Sequence, residues 1–197
     1  VLSPGLLLCR HGETDWNAEG RIQGQRDVPL NDRGRAQARR NGTVLRDLLG
    51  ERAGAYRYLA SPLGRTRETM EIIRREIGLD PAGYETDTRL VELHFGAWQG
   101  YTLAEIRDRH PEQIRARKAD KWNYVPPGAE AESYATLETR IAPVFEALEG
   151  PVLVVAHGGV VRTVLHRFAG HPSLEAAHMG VPQDRFLSFS EGNPRWL

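Results

Sequence analysis

Two histidines stand out because each ends a short apolar run and is followed at once by glycine: His11 in Leu8-Cys9-Arg10-His11-Gly12 and His157 in Val154-Val155-Ala156-His157-Gly158-Gly159. Arg10 adjoins the first, and Arg65 follows the polar turn Ser61-Pro62. A guanidinium is a planar fork that grips phosphate oxygens two at a time, and an imidazole near neutral pH offers either a lone pair or a proton. Two of each converging on one point would form a receptor for a tetrahedral oxyanion, with a phosphate dianion as the natural guest. A lone histidine after a strand is more often a packed, hydrogen-bonded residue than a catalyst; two such units with arginines beside them shift the balance toward chemistry. Gly12 and Gly158 read as turn residues that also let a ligand come close to the backbone.

Rival chemistries fit less well. Paired histidines could hold a metal, but a third ligand would be needed nearby, and adjacent arginines would repel a divalent cation. Cys9 is the only cysteine, so an intramolecular disulfide and a multi-thiolate metal site are both excluded. A thiolate phosphatase would need arginine six positions after it, where Asp15 stands, and Cys9 reads instead as a small apolar core residue. No Gly-x-x-x-x-Gly-Lys-Ser/Thr run occurs, which removes a nucleoside-triphosphate loop. None of the chemistry left standing needs a cofactor.

Side chains this far apart in sequence need a scaffold that gathers them. Residues 6–9, 58–60 and 152–156 are apolar runs that stop at polar, glycine- or proline-containing turns, the pattern of buried strands. Helical patterns cover 32–49, 62–77 and 160–168, and 133–148 leads into the third strand. Alternation of this kind predicts an α/β three-layer sandwich with a mostly parallel central sheet. Ligands of such sheets gather beyond the carboxyl ends of the strands. Arg10, His11, Ser61 and His157 all fall there, and Arg65 falls in a first helical turn whose free N–H groups favour an anion. Asn31 is predicted to cap the helix opening at Asp32, and Ser61 with Pro62 to cap and open the next. Weaker strand signals over 84–88 and 186–189 are expected at sheet edges. Residues 99–130, with Trp122, Tyr124 and the breakers Pro126, Pro127 and Gly128, read as a helical, lid-like insertion over the C-terminal edge of the sheet in a single domain spanning 1–197. Aromatics there could shape a pocket or simply pack the insertion down.

Composition sets outer limits. At 197 residues the chain can bury one substantial core. Lys plus Arg and Asp plus Glu are 26 each, so no global field draws in nucleic acid or an anionic membrane, and neither partner is expected. The apolar start at 6–9 is too short for a signal-peptide core or a membrane span, and with one cysteine the chain reads as cytoplasmic. A small phosphorylated metabolite is the expected partner, and a homodimer is compatible with the sequence.

Four ordered blocks carry a resemblance that covers nearly the whole chain. Leu8-Cys9-Arg10-His11-Gly12-Glu13-Thr14 with Trp16-Asn17, Gln23-Gly24, Pro29-Leu30, Gly34 and Gln37-Ala38 resembles the opening of the histidine phosphatase superfamily, the group that includes cofactor-dependent phosphoglycerate mutases. Ser61-Pro62-Leu63-Gly64-Arg65-Thr66-Arg67-Glu68-Thr69, the run from Leu90-Val91-Glu92-Leu93-His94 to Phe95-Gly96-Ala97-Trp98-Gln99-Gly100, and the His157 block are similar to its other three. The resemblance implies that His11 is the nucleophile that becomes phosphorylated. Arg10, Arg65 and His157 would hold the phosphoryl oxygens, and Glu92 would give the leaving alcohol its proton. Asn17, Gln23 and Gly24 match positions that line the phosphate pocket. Phosphoryl transfer asks mainly for in-line placement and neutralised charge, which this set can supply. Gln25 and Gln99 depart from the pattern, standing where relatives often have Trp and Glu.

A mutase must keep water from its phosphoenzyme and benefits from a longer lid and extra cations. Relatives that are mutases carry Glu-Arg-His-Tyr where this chain has Glu92-Leu93-His94-Phe95, and insert a longer segment before the last block. The chain is expected to lack both devices and to hydrolyse small phosphomonoesters. A phosphoglycerate mutase and a non-catalytic phospho-ligand-binding module are the alternatives.

Overall fold

The structure is a computed structural model that describes residue 2, residues 5–190 and residues 193–197. In chain order the elements are β1 (Leu6–Arg10), α1 (Asp15–Ala18), α2 (Asp32–Leu49), β2 (Arg57–Ala60), α3 (Gly64–Glu76), β3 (Glu85–Thr86), α4 (Leu103–Arg109), α5 (Pro111–Ala119), α6 (Tyr134–Glu146), β4 (Val152–Ala156), α7 (Gly158–Ala169), α8 (Ser173–His178), β5 (Phe186–Ser190) and β6 (Asn193–Trp196). The strands form one sheet in the order β3-β2-β4-β1-β5-β6. The first four run parallel, β5 runs antiparallel to β1 and β6 antiparallel to β5, so the expected α/β sandwich with a mostly parallel sheet is what the chain adopts.

β1 and β4 are apolar on both faces because they lie mid-sheet beneath helices on either side. Successive side chains alternate faces. Leu6, Leu8, Val152 and Val154 therefore join a core with α6 and α7, while Leu7, Cys9, Leu153 and Val155 join another with α2 and α3. Cys9 is fully buried, and that burial pushes its thiol up to about 12.

Three local expectations change. The signal over 186–189 becomes β5, but β5 lies inside the sheet, because β6 pairs along its outer side. β6 contains Pro194 and no apolar run, so neither pattern nor propensity marks it; proline is tolerated there because the strand is an edge. Helix α3 starts at Gly64 rather than Pro62, and Ser61 does not cap it. The chain continues extended off β2, with the Ser61 N–H on the Val155 carbonyl at 3.0 Å, and the Gly64 N–H is taken by Asp27 Oδ2 at 2.8 Å. Asn31, by contrast, caps α2 through the Gly34 N–H at 2.8 Å.

The segment after β3 crosses the carboxyl end of the sheet. The Gly100 N–H donates to the Ile22 carbonyl at 2.8 Å and the Ile22 N–H to the Tyr101 carbonyl at 2.9 Å, which ties the start of residues 99–130 to the loop after β1. Trp122 stacks on Tyr134 with centroids 5.3 Å apart, and Trp98 packs near Tyr124 at 5.4 Å while giving its indole N–H to Gln113 at 2.9 Å. These aromatics pack the insertion down. Among the described residues no helix is long and apolar enough to cross a membrane.

Candidate active site

β1 carries Arg10 to its carboxyl end, and the His11 N–H extends the ladder onto the Ala156 carbonyl at 3.0 Å. Gly12 must then pass against the start of α2. A Cβ on Gly12 would lie 2.4 Å from the Gly34 carbonyl oxygen, and one on Gly34 would lie 2.1 Å from the Glu13 carbonyl oxygen, so neither position has room for a side chain. The Gly12 N–H donates to Thr69 Oγ1 at 3.1 Å. This packing turns the His11 ring so that Nδ1 sits 2.7 Å from the Gly12 carbonyl. A carbonyl only accepts, so Nδ1 carries the hydrogen and Nε2 presents its lone pair.

Arg65 is the centre of the cluster. Its Nε lies 3.3 Å from His11 Nε2, and its Nη2 lies 3.3 Å from His157 Nδ1. The same guanidinium donates to the carbonyls of Gly24 and Arg26 at 2.7 Å each, with Asp27 3.7 Å away. Because a guanidinium can only donate, His157 Nδ1 accepts, and His157 Nε2 gives its hydrogen to Ser61 Oγ at 2.8 Å. The two imidazole rings meet edge-on at 5.3 Å. Burial first, then the charges of Arg65 and Arg10, hold His11 well below the usual histidine range. Burial and Arg65 do the same for His157. Both rings are thus neutral, with tautomers fixed by their neighbours.

Arg10 donates Nη1 to the Val181 carbonyl at 3.0 Å, and burial followed by the charge of Arg162 pushes it down to about 10. Its buried Nε has no partner, nor has Gln23 Oε1. Glu92 approaches from an irregular segment. Both its oxygens accept the Gly159 N–H, at 3.1 and 3.0 Å, in the first turn of α7, and Oε1 also accepts the Leu93 N–H at 2.9 Å. A Cβ on Gly159 would stand 2.2 Å from Glu92 Oε1, so the glycine makes room for the carboxylate.

A pocket of about 150 Å³ opens onto this group, walled by Arg10, His11, Asn17, Gln23, Gly24, Arg65 and Glu92 together with Arg21, Ile22 and Phe95. It is not the largest depression; one of about 420 Å³ beside β2 and β3 contains no histidine. His157 lies behind Arg65 rather than on the wall. Gly158 is likewise off the wall, with its Cβ position 3.6 Å from Arg10 Nε. Asn17 Oδ1 accepts from Gln183 Nε2 at 3.1 Å, and the same amide reaches the His11 carbonyl at 3.1 Å. Sequence reasoning missed Arg21, Ile22, Phe95 and Gln183. The first three neighbour the blocks around Gln23 and Glu92, which was a usable signal; Gln183 sits in no pattern at all.

The expectation that extra cations are lacking is corrected here. Arg10, Arg162 and Lys121 donate to the carbonyls of Val181, Met179 and Ala177, so three cations line up along one segment. Arg162 Nη1 is also 3.4 Å from the Tyr134 hydroxyl and from the Cβ position of Gly158. Arg117 joins this group, and burial, Arg117 and Arg162 together push Lys121 down to about 7. Among the described residues none of these four forms an ion pair. Lys121 and Arg117 come from residues 99–130 and Arg162 from α7, so only the fold brings them together, with Arg162 next to Arg10.

The histidine phosphatase superfamily (branch 1) model matches residues 6–193. The chain is 36% identical over 166 residues to phosphoglycerate mutase-like protein 4 of Arabidopsis thaliana, covering 82% of this chain and 70% of that protein. It is 31% identical over 205 residues to the glucosyl-3-phosphoglycerate phosphatase of Mycolicibacterium vanbaalenii, covering 98% and 82%. It also matches 6-phosphofructo-2-kinase/fructose-2,6-bisphosphatase 3 of Rattus norvegicus at 32% identity, but spans only 31% of that protein's length. A mycobacterial glucosyl-3-phosphoglycerate phosphatase solved in complex with VO3 superposes with a TM-score of 0.78 at 28% identity, covering 98% of this chain and 95% of that one. Phosphatases recur among these relatives, beside mutase-like proteins, and the chain belongs to the histidine phosphatase superfamily, branch 1.

Proposed function

We propose that the chain is a metal-independent phosphomonoesterase that hydrolyses small phosphorylated metabolites through a phosphohistidine on His11. The observation that carries this reading is Arg65 bridging His11 Nε2 and His157 Nδ1 at 3.3 Å each, at the floor of a pocket that Arg10 and Glu92 also wall. A phosphomonoester dianion is held by Arg10 and by Arg65, whose Nη2 leaves His157 Nδ1 for a phosphoryl oxygen; the dianion's charge draws a proton onto the freed Nδ1, which then donates to the phosphoryl group as well. The lone pair on His11 Nε2 attacks phosphorus. The N–P bond forms as the P–O bond to the leaving group breaks, and Glu92 delivers a proton to that oxygen. The Gly12 carbonyl, already on Nδ1–H, stabilises the positive charge the ring acquires. Water then attacks the phosphohistidine while Glu92 takes its proton, releasing inorganic phosphate and restoring the enzyme. The same reading makes residues 99–130 a lid, since the insertion is bonded to Ile22 on the pocket wall.

Turnover of 4-nitrophenyl phosphate that persists in EDTA and vanishes in His11→Ala is the expected result. Loss in EDTA, or full activity in the variant, would overturn the reading.

Arg162 next to Arg10, with Lys121 and Arg117 behind it and outside the pocket wall, supports a second reading of the substrate class: phosphates bearing another anionic group, phosphoglycerates included, and with them mutase activity. Unpaired, partly buried cations are costly unless an anion joins them. Lys121→Ala is expected to raise KM about tenfold for such substrates, the scale of one charge-assisted hydrogen bond, while leaving 4-nitrophenyl phosphate unaffected. Isomerisation of 3-phosphoglycerate stimulated by 2,3-bisphosphoglycerate would establish mutase chemistry; its absence leaves hydrolysis.

A further inference from the structure

Glu92 belongs to no helix or strand. It sits between two short 3₁₀ turns, Thr88–Leu90 and Gly96–Trp98, in a stretch whose backbone has little of its own to hold it. The hold comes from α6. Arg140 Nη1 donates to the carbonyls of Arg89 at 2.6 Å and Val91 at 3.0 Å, and Nη2 reaches the Glu92 carbonyl at 3.4 Å. The remaining donors go to Glu132, Nε to Oε1 at 2.9 Å and Nη2 to Oε2 at 2.8 Å. All five guanidinium N–H groups are thereby used, three of them on the segment that carries Glu92. Glu132 completes the clamp: its Oε2 accepts the His94 N–H at 3.0 Å, and its own N–H donates to the His94 carbonyl at 2.9 Å. The arginine–carboxylate pair is mostly buried, with side-chain exposures of 20% and 15%. Gln25 Nε2 adds a second hold on the Glu92 carbonyl at 3.0 Å. Neither Arg140 nor Glu132 lines the pocket.

We propose that Arg140, braced by Glu132, is a positioning residue that sets the Glu92 carboxyl against the leaving-group oxygen. The inference rests on the reading of Glu92 as proton donor. A misplacement of about 1 Å can cost about 10²-fold in rate, and proton delivery matters in proportion to how poor the leaving group is. Lysine keeps the charge opposite Glu132, so the fold survives, but a single ammonium cannot serve three carbonyls and a carboxylate at once.

The test compares kcat/KM for 4-nitrophenyl phosphate, whose leaving group needs no proton, with that for glycerol 2-phosphate, whose leaving group does. The set is wild type, Glu92→Gln, Arg140→Lys and Glu132→Gln, with thermal unfolding followed in parallel. Arg140→Lys is expected to lose about 30-fold or more on the alkyl ester and less than about threefold on the aryl ester, mirroring Glu92→Gln. Glu132→Gln should show the same selectivity in smaller measure. A selective Glu92→Gln beside an unselective Arg140→Lys overturns the positioning role alone. An unselective Glu92→Gln overturns the proton-donor reading and the positioning role with it.

Discussion

The half of the pocket that would hold phosphate and the half that would face the leaving group are built in different ways. Arg10, His11, Arg65 and His157 stand at strand ends and first helical turns, where backbone ladders fix their positions before any side chain acts. Glu92 and the segment 177–181 are held by side chains gripping carbonyls: Arg140 on residues 89, 91 and 92, and Lys121, Arg162 and Arg10 on residues 177, 179 and 181. The first kind of construction suits a group common to every phosphomonoester. The second leaves the rest of the ligand's surroundings free to differ between relatives of one fold.

The contrast breaks most visibly at Arg65. Arg65→Lys keeps the charge but cannot span two imidazoles and two carbonyls, so kcat should fall by about 10²–10³-fold on aryl and alkyl esters alike. Loss confined to alkyl esters would show that the two halves are not separable in this way. Gly159→Ala probes the other half. Alanine is the better helix former by about 1 kcal/mol, which offsets part of the cost of crowding Glu92 and Leu137, so the protein should stay folded with little change in stability. The alanine methyl group takes the place of Glu92 Oε1, so kcat/KM for alkyl esters should drop by about tenfold or more while kcat/KM for the aryl ester is spared.

The smallest effect is on pH dependence. His11 and His157 are held neutral in the fold, whereas an unfolded histidine titrates near about 6.5. Above that pH neither state binds a proton at these rings and nothing is lost. As pH falls through it, the unfolded chain takes up protons that the folded chain refuses, so stability declines toward acid. The melting temperature should therefore decrease from pH 6.5 to 5, less steeply in His157→Gln. Wild-type kcat/KM for 4-nitrophenyl phosphate should show no histidine-like loss over the same range, because His11 is already unprotonated.

What could be read from the sequence follows the same division. His11 and His157 were legible because an apolar run that ends at His-Gly predicts a strand end, and the sheet brings strand ends together. Asn31 was legible as a cap because capping is a local event. Ser61 was misread for the same local reason: a Ser-Pro pair looks like a helix start, and only the neighbouring strand shows that the hydroxyl faces His157. β6 was invisible because its pairing, not its composition, makes it a strand. The Arg140–Glu132 clamp and the Lys121–Arg162–Arg10 alignment depend on contacts between distant segments, and no pattern in one chain encodes them.

In the proposed reaction His11 Nε2 lies in line with a phosphoryl group held by Arg65 and its neighbours. Rapid mixing with substrate, quenching at alkaline pH, and ³¹P NMR with peptide mapping test it directly. The predicted result is a base-stable, acid-labile phosphoryl group on Nε2 of His11. A phosphoryl group on Nδ1 or on another residue, or turnover with no phosphoenzyme at all, would contradict it.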